Sequence, residues 1–233
     1  MENELDSFVY HNPTRIVFGA KSFKKFKKEF NKLNYKKPLI VTGRESVKKF
    51  GYLDRLKNQL KSLNIHFELY EGILPNPTTY QIQEGAKYAK NCDCIIALGG
   101  GSVIDGAKAI ALMAKNKGNI WDFTLKSGEN RKKIKEALPI ITLPTVAATG
   151  SEADPITVIT NLETQEKKGI SHQVLYPELA IIDPEFTLTC PLKTTIDGII
   201  DIIIHSCETY FSTEKNTPIQ DGISHTIVRT VYK

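Results

Sequence analysis

The sequence predicts an α/β fold: a mostly parallel sheet with helices on both faces, followed by a shorter all-helical segment. Three observations carry that prediction. Short apolar runs alternate with amphipathic stretches through residues 1–190, the pattern of strands joined by crossover helices. One of these runs, Ile95-Ile96-Ala97-Leu98, leads straight into Gly99-Gly100-Gly101 and a further amphipathic stretch, which reads as a strand, a tight turn and a helix. After Pro191 the alternation gives way to two helical patterns, so residues 1–190 and 191–233 are expected to form two units.

Residues 8–10 and 15–18 read as strands around the turn His11-Asn12-Pro13, and Gly19 leads into a lysine-rich helix. In that helix Phe23, Phe26, Phe30 and Leu33 recur at helical spacing while lysines fill the other face. A strand at 39–42, a helix at 47–62 and a strand at 65–70 follow. The loop Pro75-Asn76-Pro77-Thr78 then precedes a helix at 80–90 and the strand at 95–98. Ser102 is expected to cap the next helix, with Asp105 three residues on and Val103, Ala107, Ile110, Ala111 and Ala114 sharing its apolar face. Later strands are expected at 139–143, 156–160 and 180–182. The segment 198–211, apolar around most of its circumference, reads as a helix buried among neighbours, and 217–232 as another helix.

Composition narrows the function classes. At 41% hydrophobic and 24% charged residues the chain is an ordinary globular sequence. It shows no apolar run of membrane-spanning length and no signal peptide, so a cytoplasmic location without a membrane partner is expected. Cys92, Cys94, Cys190 and Cys207 read as reduced thiols, with Cys92 and Cys94 in the core. The net charge of +5 comes largely from lysines on a solvated helix face. Only five of the 31 basic residues are arginine, which argues against nucleic-acid recognition.

The chemistry concentrates in a few places. A glycine turn opening a helix places free backbone N–H groups and the positive end of the helix dipole together, a site suited to phosphate or pyrophosphate. A tight turn without a ligand is the alternative. In parallel sheets ligands sit outside the carboxyl ends of the strands, and Gly43, Asn76, residues 99–101 and Thr145 all lie past strand ends. In the segment 143–161, Thr145, Thr149 and Ser151 offer hydroxyls and Gly150 permits close approach, so this loop can pack along a cofactor. Asp201 and His205, four apart on one helix face, suit a divalent ion such as Fe²⁺ or Zn²⁺, although a hydrogen-bonded pair has the same spacing. Asp221 and His225 repeat that spacing on what reads as an exposed helix face.

"GGGSVIDGAKAIA", "LPTVAATGSEADP", "AIIDPEFTLTCP" and "GIIDIIIHSCETYFS" occur in this order, and together they closely resemble the iron-containing (group III) alcohol dehydrogenase family. The resemblance runs through nearly the whole chain from "NPTRIVFG". It is greatest to the branch of NADPH-dependent butanol dehydrogenases and broad aldehyde reductases, through Val146-Ala147-Ala148-Thr149-Gly150-Ser151-Glu152. It implies a Rossmann-like dinucleotide domain at 1–190 and the beginning of a helical metal-binding domain at 191–233. It also implies hydride transfer between NADP(H) and a small alcohol or aldehyde such as butanol or butanal, with Fe²⁺ or Zn²⁺ polarising the carbonyl, and a homodimer formed through the N-terminal strands.

By the same resemblance Gly100, Gly101 and Ser102 would hold the pyrophosphate. Asn76, Thr145, Thr149 and Lys167 would line the dinucleotide, Asp201 and His205 would be the first two metal ligands, and Asp105 would act through the helix cap. No separate general acid is evident. Gly43-Arg44-Glu45-Ser46 places a glycine where a carboxylate would bind the ribose of NAD, and adds an arginine and a hydroxyl; Gly43 and Ser46 are therefore expected to favour NADP over NAD. Glu45 departs from the glycine-rich form of this branch, and its charge opposes a phosphate. The family completes its metal site with two further histidines beyond this chain's last residue, so a C-terminal truncation is expected. A catalytically inactive nucleotide-binding remnant, with Ile199, Ile200, Ile202, Ile203 and Ile204 exposed, is the alternative.

Overall fold

The computed structural model describes residues 9–124, 131–211 and 217–232. In chain order the elements are β1 (Arg15–Phe18), α1 (Phe26–Leu33), β2 (Pro38–Gly43), α2 (Ser46–Lys49), α3 (Tyr52–Lys61), β3 (Glu68–Ile73), α4 (Thr79–Ala89), β4 (Cys94–Gly99) and α5 (Gly101–Lys115). These are followed by β5 (Ile140–Pro144), β6 (Ile156–Asn161), β7 (Glu166–Ser171), β8 (Leu179–Ile182), α6 (Leu192–Tyr210) and α7 (Pro218–Val231). Six strands form one sheet in the order β1-β8-β5-β4-β2-β3, and every pairing in it is parallel. β6 and β7 form a separate antiparallel hairpin.

The central strand β4 shows how the sequence builds two layers of core. All six of its residues are buried, as expected for a parallel strand covered on both faces. Ile96 and Leu98 join Phe26, Phe30, Leu56 and Phe186 on one side. Ile95 and Ala97 join Ile82, Ile104, Ile110 and Phe123 on the other. This is the period-two alternation of a strand, with helices supplying both partners. The register aligns Thr42 with Leu98 and Leu98 with Leu143. The loops after β2, β4 and β5 therefore emerge at one edge, where the ligand site of such a sheet belongs.

The structure departs from the sequence-based expectations in several places. Val9 and Tyr10 are not in a strand, and residue 8 lies outside the described residues. The helix expected at 47–62 is two helices, α2 and α3, separated at Gly51, whose φ of 72° no regular helix accommodates. The strand expected at 65–70 starts later, at Glu68. Strand β7 was not expected: in Glu166-Lys167-Lys168-Gly169-Ile170-Ser171 only Ile170 is buried, so it carries no apolar alternation to read. Gly100, not Ser102, is the N-cap of α5.

α6 departs most from expectation. Gly198 and Ser206 are its buried residues, while Ile200 is 54% and Ile204 51% exposed. The helix packs against α7 and the loop after β5, where a methyl group built at Gly198 would stand 2.4 Å from the Ala147 carbonyl oxygen. Ile199 is likewise exposed, whereas Ile202 and Ile203 are half-buried. All four cysteines are free thiols. Cys94 is buried and Cys92 half-buried, with burial pushing the Cys92 thiol up to about 11. No helix among the described residues is long and apolar enough to cross a membrane.

Candidate functional site

β4 ends at Gly99, and Gly100 is extended before α5 begins. The first amides of α5 have no intrahelical acceptors, and the 15 residues of the helix give its N-terminus a sizeable positive potential. Glycine matters here for close approach. A Cβ at Gly101 would stand 3.3 Å from Thr149 Oγ1, and one at Gly100 would stand 3.3 Å from Val146 Cγ2. Side chains at this turn would press into the hydroxyl-bearing loop after β5. That loop is tied to the turn by the Thr145 amide, which donates to the Gly99 carbonyl at 3.0 Å.

A cleft of about 260 Å³ opens over the turn, with Asn76, Gly101, Ser102, Thr149, Lys167 and His205 among the residues lining it. Asn76 organises one wall. Its amide donates to Ser102 Oγ at 3.2 Å, and its Oδ1 accepts from Lys167 Nζ at 2.9 Å. It holds a left-handed φ of 58°, a region few non-glycine residues adopt and asparagine tolerates best. Lys167 comes from β7, and the hairpin is fastened to the same wall through the Thr160 amide, which donates to Pro77 O at 2.9 Å. The expected residues Asn76, Gly101, Ser102, Thr149 and Lys167 are thus brought together. Gly43, Ser46, Gly100 and Thr145 do not line the cleft. Gly43 is nonetheless close to the first turn of α5, since a Cβ there would be 3.7 Å from Val103 Cγ2. Arg44, Glu45 and Ser46 beyond it are exposed.

Behind the cleft lies a polar cluster that the sequence reading only partly found. Lys108 is fully buried, and its ammonium donates to Ser151 Oγ (3.0 Å), Asp154 O (2.9 Å), Asp154 Oδ1 (2.8 Å) and Ile156 O (2.8 Å). Asp105, expected to act through the helix cap, instead accepts from Ser151 Oγ at 2.7 Å and from the Val158 amide at 3.1 Å. Burial raises the Asp105 carboxyl above its ordinary range, against the opposing pull of Ser151 and Lys108. Burial likewise raises Glu152 and lowers Lys108. A signal for Lys108 was present. It sits in "GAKAIALMA" with Ile104, Ala111 and Leu112 around it on the helix, all buried, and a lysine on such a face must be paired.

Asp201 and His205 are adjacent on α6, with Nε2 3.5 Å from the Asp201 carboxylate, and His205 Nδ1 is 3.5 Å from Glu208. His205 reaches the cleft lining and Asp201 does not. Among the described residues no group of three or more His, Cys, Asp or Glu side chains is arranged to hold a metal ion, and a catalytic centre needs three protein ligands. The Asp221 carboxylate accepts from Thr217 Oγ1 in the first turn of α7, and His225 is exposed; these are features of a helix surface.

The chain is 38% identical over 229 residues to NADH-dependent butanol dehydrogenase A of Clostridium acetobutylicum, covering 97% of this chain and 58% of that protein. It is 32% identical over 231 residues to the NADPH-dependent aldehyde reductase YqhD of Escherichia coli, again covering 97% of this chain and 58% of that protein. The crystal structure of NADH-dependent butanol dehydrogenase A from Thermotoga maritima superposes with a TM-score of 0.91 at 37% identity, over 97% of this chain and 56% of that one. The chain therefore spans somewhat more than half the length of these relatives. Residues 13–184 match the family described as iron-containing alcohol dehydrogenase. That stretch takes in every strand of the main sheet and all of the cleft except His205, and on this ground the chain belongs to the iron-containing alcohol dehydrogenase family.

Proposed function

We propose that this chain binds NADP(H) in the cleft at the N-terminus of α5 and serves hydride transfer between the cofactor and a small alcohol or aldehyde such as butanol or butanal. The observation that carries the reading is the convergence of the α5 amides, Ser102, Asn76, Thr149 and Lys167 on one cleft. Anionic oxygens are what such a set of donors recognises. The site fits a dinucleotide phosphate: the glycine turn leaves a cradle that a Cβ would crowd, and Lys167 supplies the positive charge. The bound nicotinamide would supply the hydride. The chain's own residues hold the phosphates, set the turn against the loop after β5, and place His205 beside the bound cofactor.

The choice of NADP over NAD rests on Gly43, Arg44 and Ser46 at the end of β2. They remove the carboxylate that would accept from a ribose hydroxyl and offer a guanidinium and a hydroxyl to a 2'-phosphate. Relatives named for NADH and for NADPH dependence both match this chain, so the preference is a property to be measured. Asp201 and His205 are the residues that would face Fe²⁺ or Zn²⁺. Two donors do not complete a catalytic metal site. Assembly as a homodimer through the exposed face of β1, a cytoplasmic location and a domain boundary near residue 190 belong to the same reading.

The donor count among the described residues favours a second reading, in which the chain binds nucleotide without turnover. Fluorescence titration with NADPH and NADH, followed by anaerobic NADPH consumption with butanal in the presence and absence of Fe²⁺ or Zn²⁺, separates the two. Tight NADPH binding with metal-dependent turnover supports the first reading. Binding without turnover supports the second, and absence of binding to either nucleotide refutes both.

A further inference from the structure

The fully buried Lys108 lies at the junction of the two walls that the nucleotide reading requires. One wall is the first turn of α5, carrying Gly101 and Ser102. The other is the loop through Thr149 and Ser151, which runs on to Asp154 and β6. Lys108 lies in α5 itself, yet three of its four hydrogen bonds end on Asp154 and Ile156, and the fourth ends on Ser151. Ser151 passes the connection back to α5 by donating to Asp105, and Asp105 also holds the Val158 amide of β6. Thr157 Oγ1 adds a bond to the Asp105 carbonyl at 2.7 Å. The loop and the start of the hairpin are therefore held to α5 by one closed polar circuit centred on an ammonium group.

We propose that Lys108 is a positioning residue for the nucleotide site, fixing the spacing between Ser102 and Thr149 by clamping the 149–158 segment onto α5. The proposal rests on the nucleotide reading above. Apolar contacts alone would leave this spacing loosely set, because the loop contributes small side chains and Thr149 and Gly150 are exposed. A multi-point, charge-assisted anchor sets it directionally. Burial disfavours the charged form of Lys108, and the Asp154 carboxylate opposes that effect, so the circuit depends on Asp154 remaining its partner.

The test compares Lys108→Met, which keeps an unbranched side chain one atom shorter and removes the ammonium group, with Leu56→Ala, a core truncation on the opposite face of the sheet. Both variants should lose thermal stability. Only Lys108→Met should weaken NADPH binding, on the order of tenfold, since small misplacements of a binding group carry large penalties. Hydrogen exchange should also quicken at the 149–158 amides in Lys108→Met and not in Leu56→Ala. If Lys108→Met does not fold, Ser151→Ala replaces it: it removes the hydroxyl that joins Lys108 to Asp105, should weaken binding about threefold, and is scored on the 149–158 exchange because Ser151 also lines the cleft. Unchanged NADPH affinity or unchanged protection of 149–158 in the folded variant overturns the proposal. If the wild-type chain itself binds no NADPH, the nucleotide reading falls, and the exchange comparison still decides whether Lys108 clamps the loop.

Discussion

Replacing Gly198 by alanine adds one methyl group where α6 meets the loop after β5, and the structure sets the consequence. The new Cβ would stand 2.4 Å from the Ala147 carbonyl oxygen, against ordinary contact beginning near 3.4 Å. The obstacle is backbone, so no rotamer change relieves it, and α6 must move by about 1 Å or the loop must give way. Such overpacking costs about 1–3 kcal/mol. Alanine also favours the helix over glycine by about 1 kcal/mol. Gly222→Ala in α7 isolates that helix contribution, because nothing lies within 4 Å of a Cβ there. The expected outcome is that Gly222→Ala raises Tm by roughly 2–4 °C while Gly198→Ala fails to, the gap between them growing by roughly 2–4 °C per kcal/mol of clash. Thermal unfolding followed by circular dichroism measures the gap. Since α6 carries His205 into the cleft, the displaced helix should also alter NADPH affinity. Equal stabilisation by both substitutions would refute the packing argument and remove the support for a fixed position of His205.

Lys167→Met should weaken NADPH binding and reduce its dependence on ionic strength, as loss of a phosphate-facing charge does; unchanged salt dependence places Lys167 outside the phosphate site. Glu45→Ala should shift the ratio of NADPH to NADH affinity towards NADPH and Arg44→Ala away from it, read by paired titrations. Glu29 is more acidic folded than unfolded, chiefly through its hydrogen bond with Lys32 and also through Arg15. Its pairing therefore stabilises the fold in full above the ordinary value of 4.5 and is lost as the pH falls below it. Glu29→Gln should flatten the fall of Tm with pH in that range, and an unaltered acid limb would show that other carboxylates govern it. Ile200→Glu with Ile204→Glu should change stability by less than about 0.5 kcal/mol each, since both lie on the exposed side of α6. The pair should reduce binding of an apolar dye and aggregation on size-exclusion chromatography.

The parts of the fold that could be read from sequence are those where burial leaves a periodic trace. β4 and α5 were legible because all of β4 is buried and α5 alternates apolar and small residues at helical spacing. β7 was not, because a hairpin lying on the outside of the domain can hold its register by backbone bonds while its side chains stay polar. The helix expected at 47–62 kept its apolar period across Gly51, and only backbone conformation breaks it. In the cleft, Asn76, Ser102, Thr149 and Lys167 were expected from local motif and resemblance, and the structure brings the four together along its lining. The bonds between Asn76, Ser102 and Lys167 span up to 91 positions, and no local pattern records a partner that distant. Lys108 was passed over because its meaning lies in an exception, a charge on an apolar face, which amphipathic periodicity averages away.

The strand order carries a consequence for synthesis. Among the described strands β1 pairs with β8 alone, and β8 lies between it and β5. Residues 15–18 therefore have no strand partner until residues 179–182 have been made, roughly 10–30 s later at typical elongation rates. During that interval Ile16 and Phe18, which stay exposed even in the finished fold, are free to pair with other nascent chains. Of the described strands, β1 is separated from its partner by the longest stretch of chain, so the exposure to misassembly during synthesis is concentrated at this edge of the sheet.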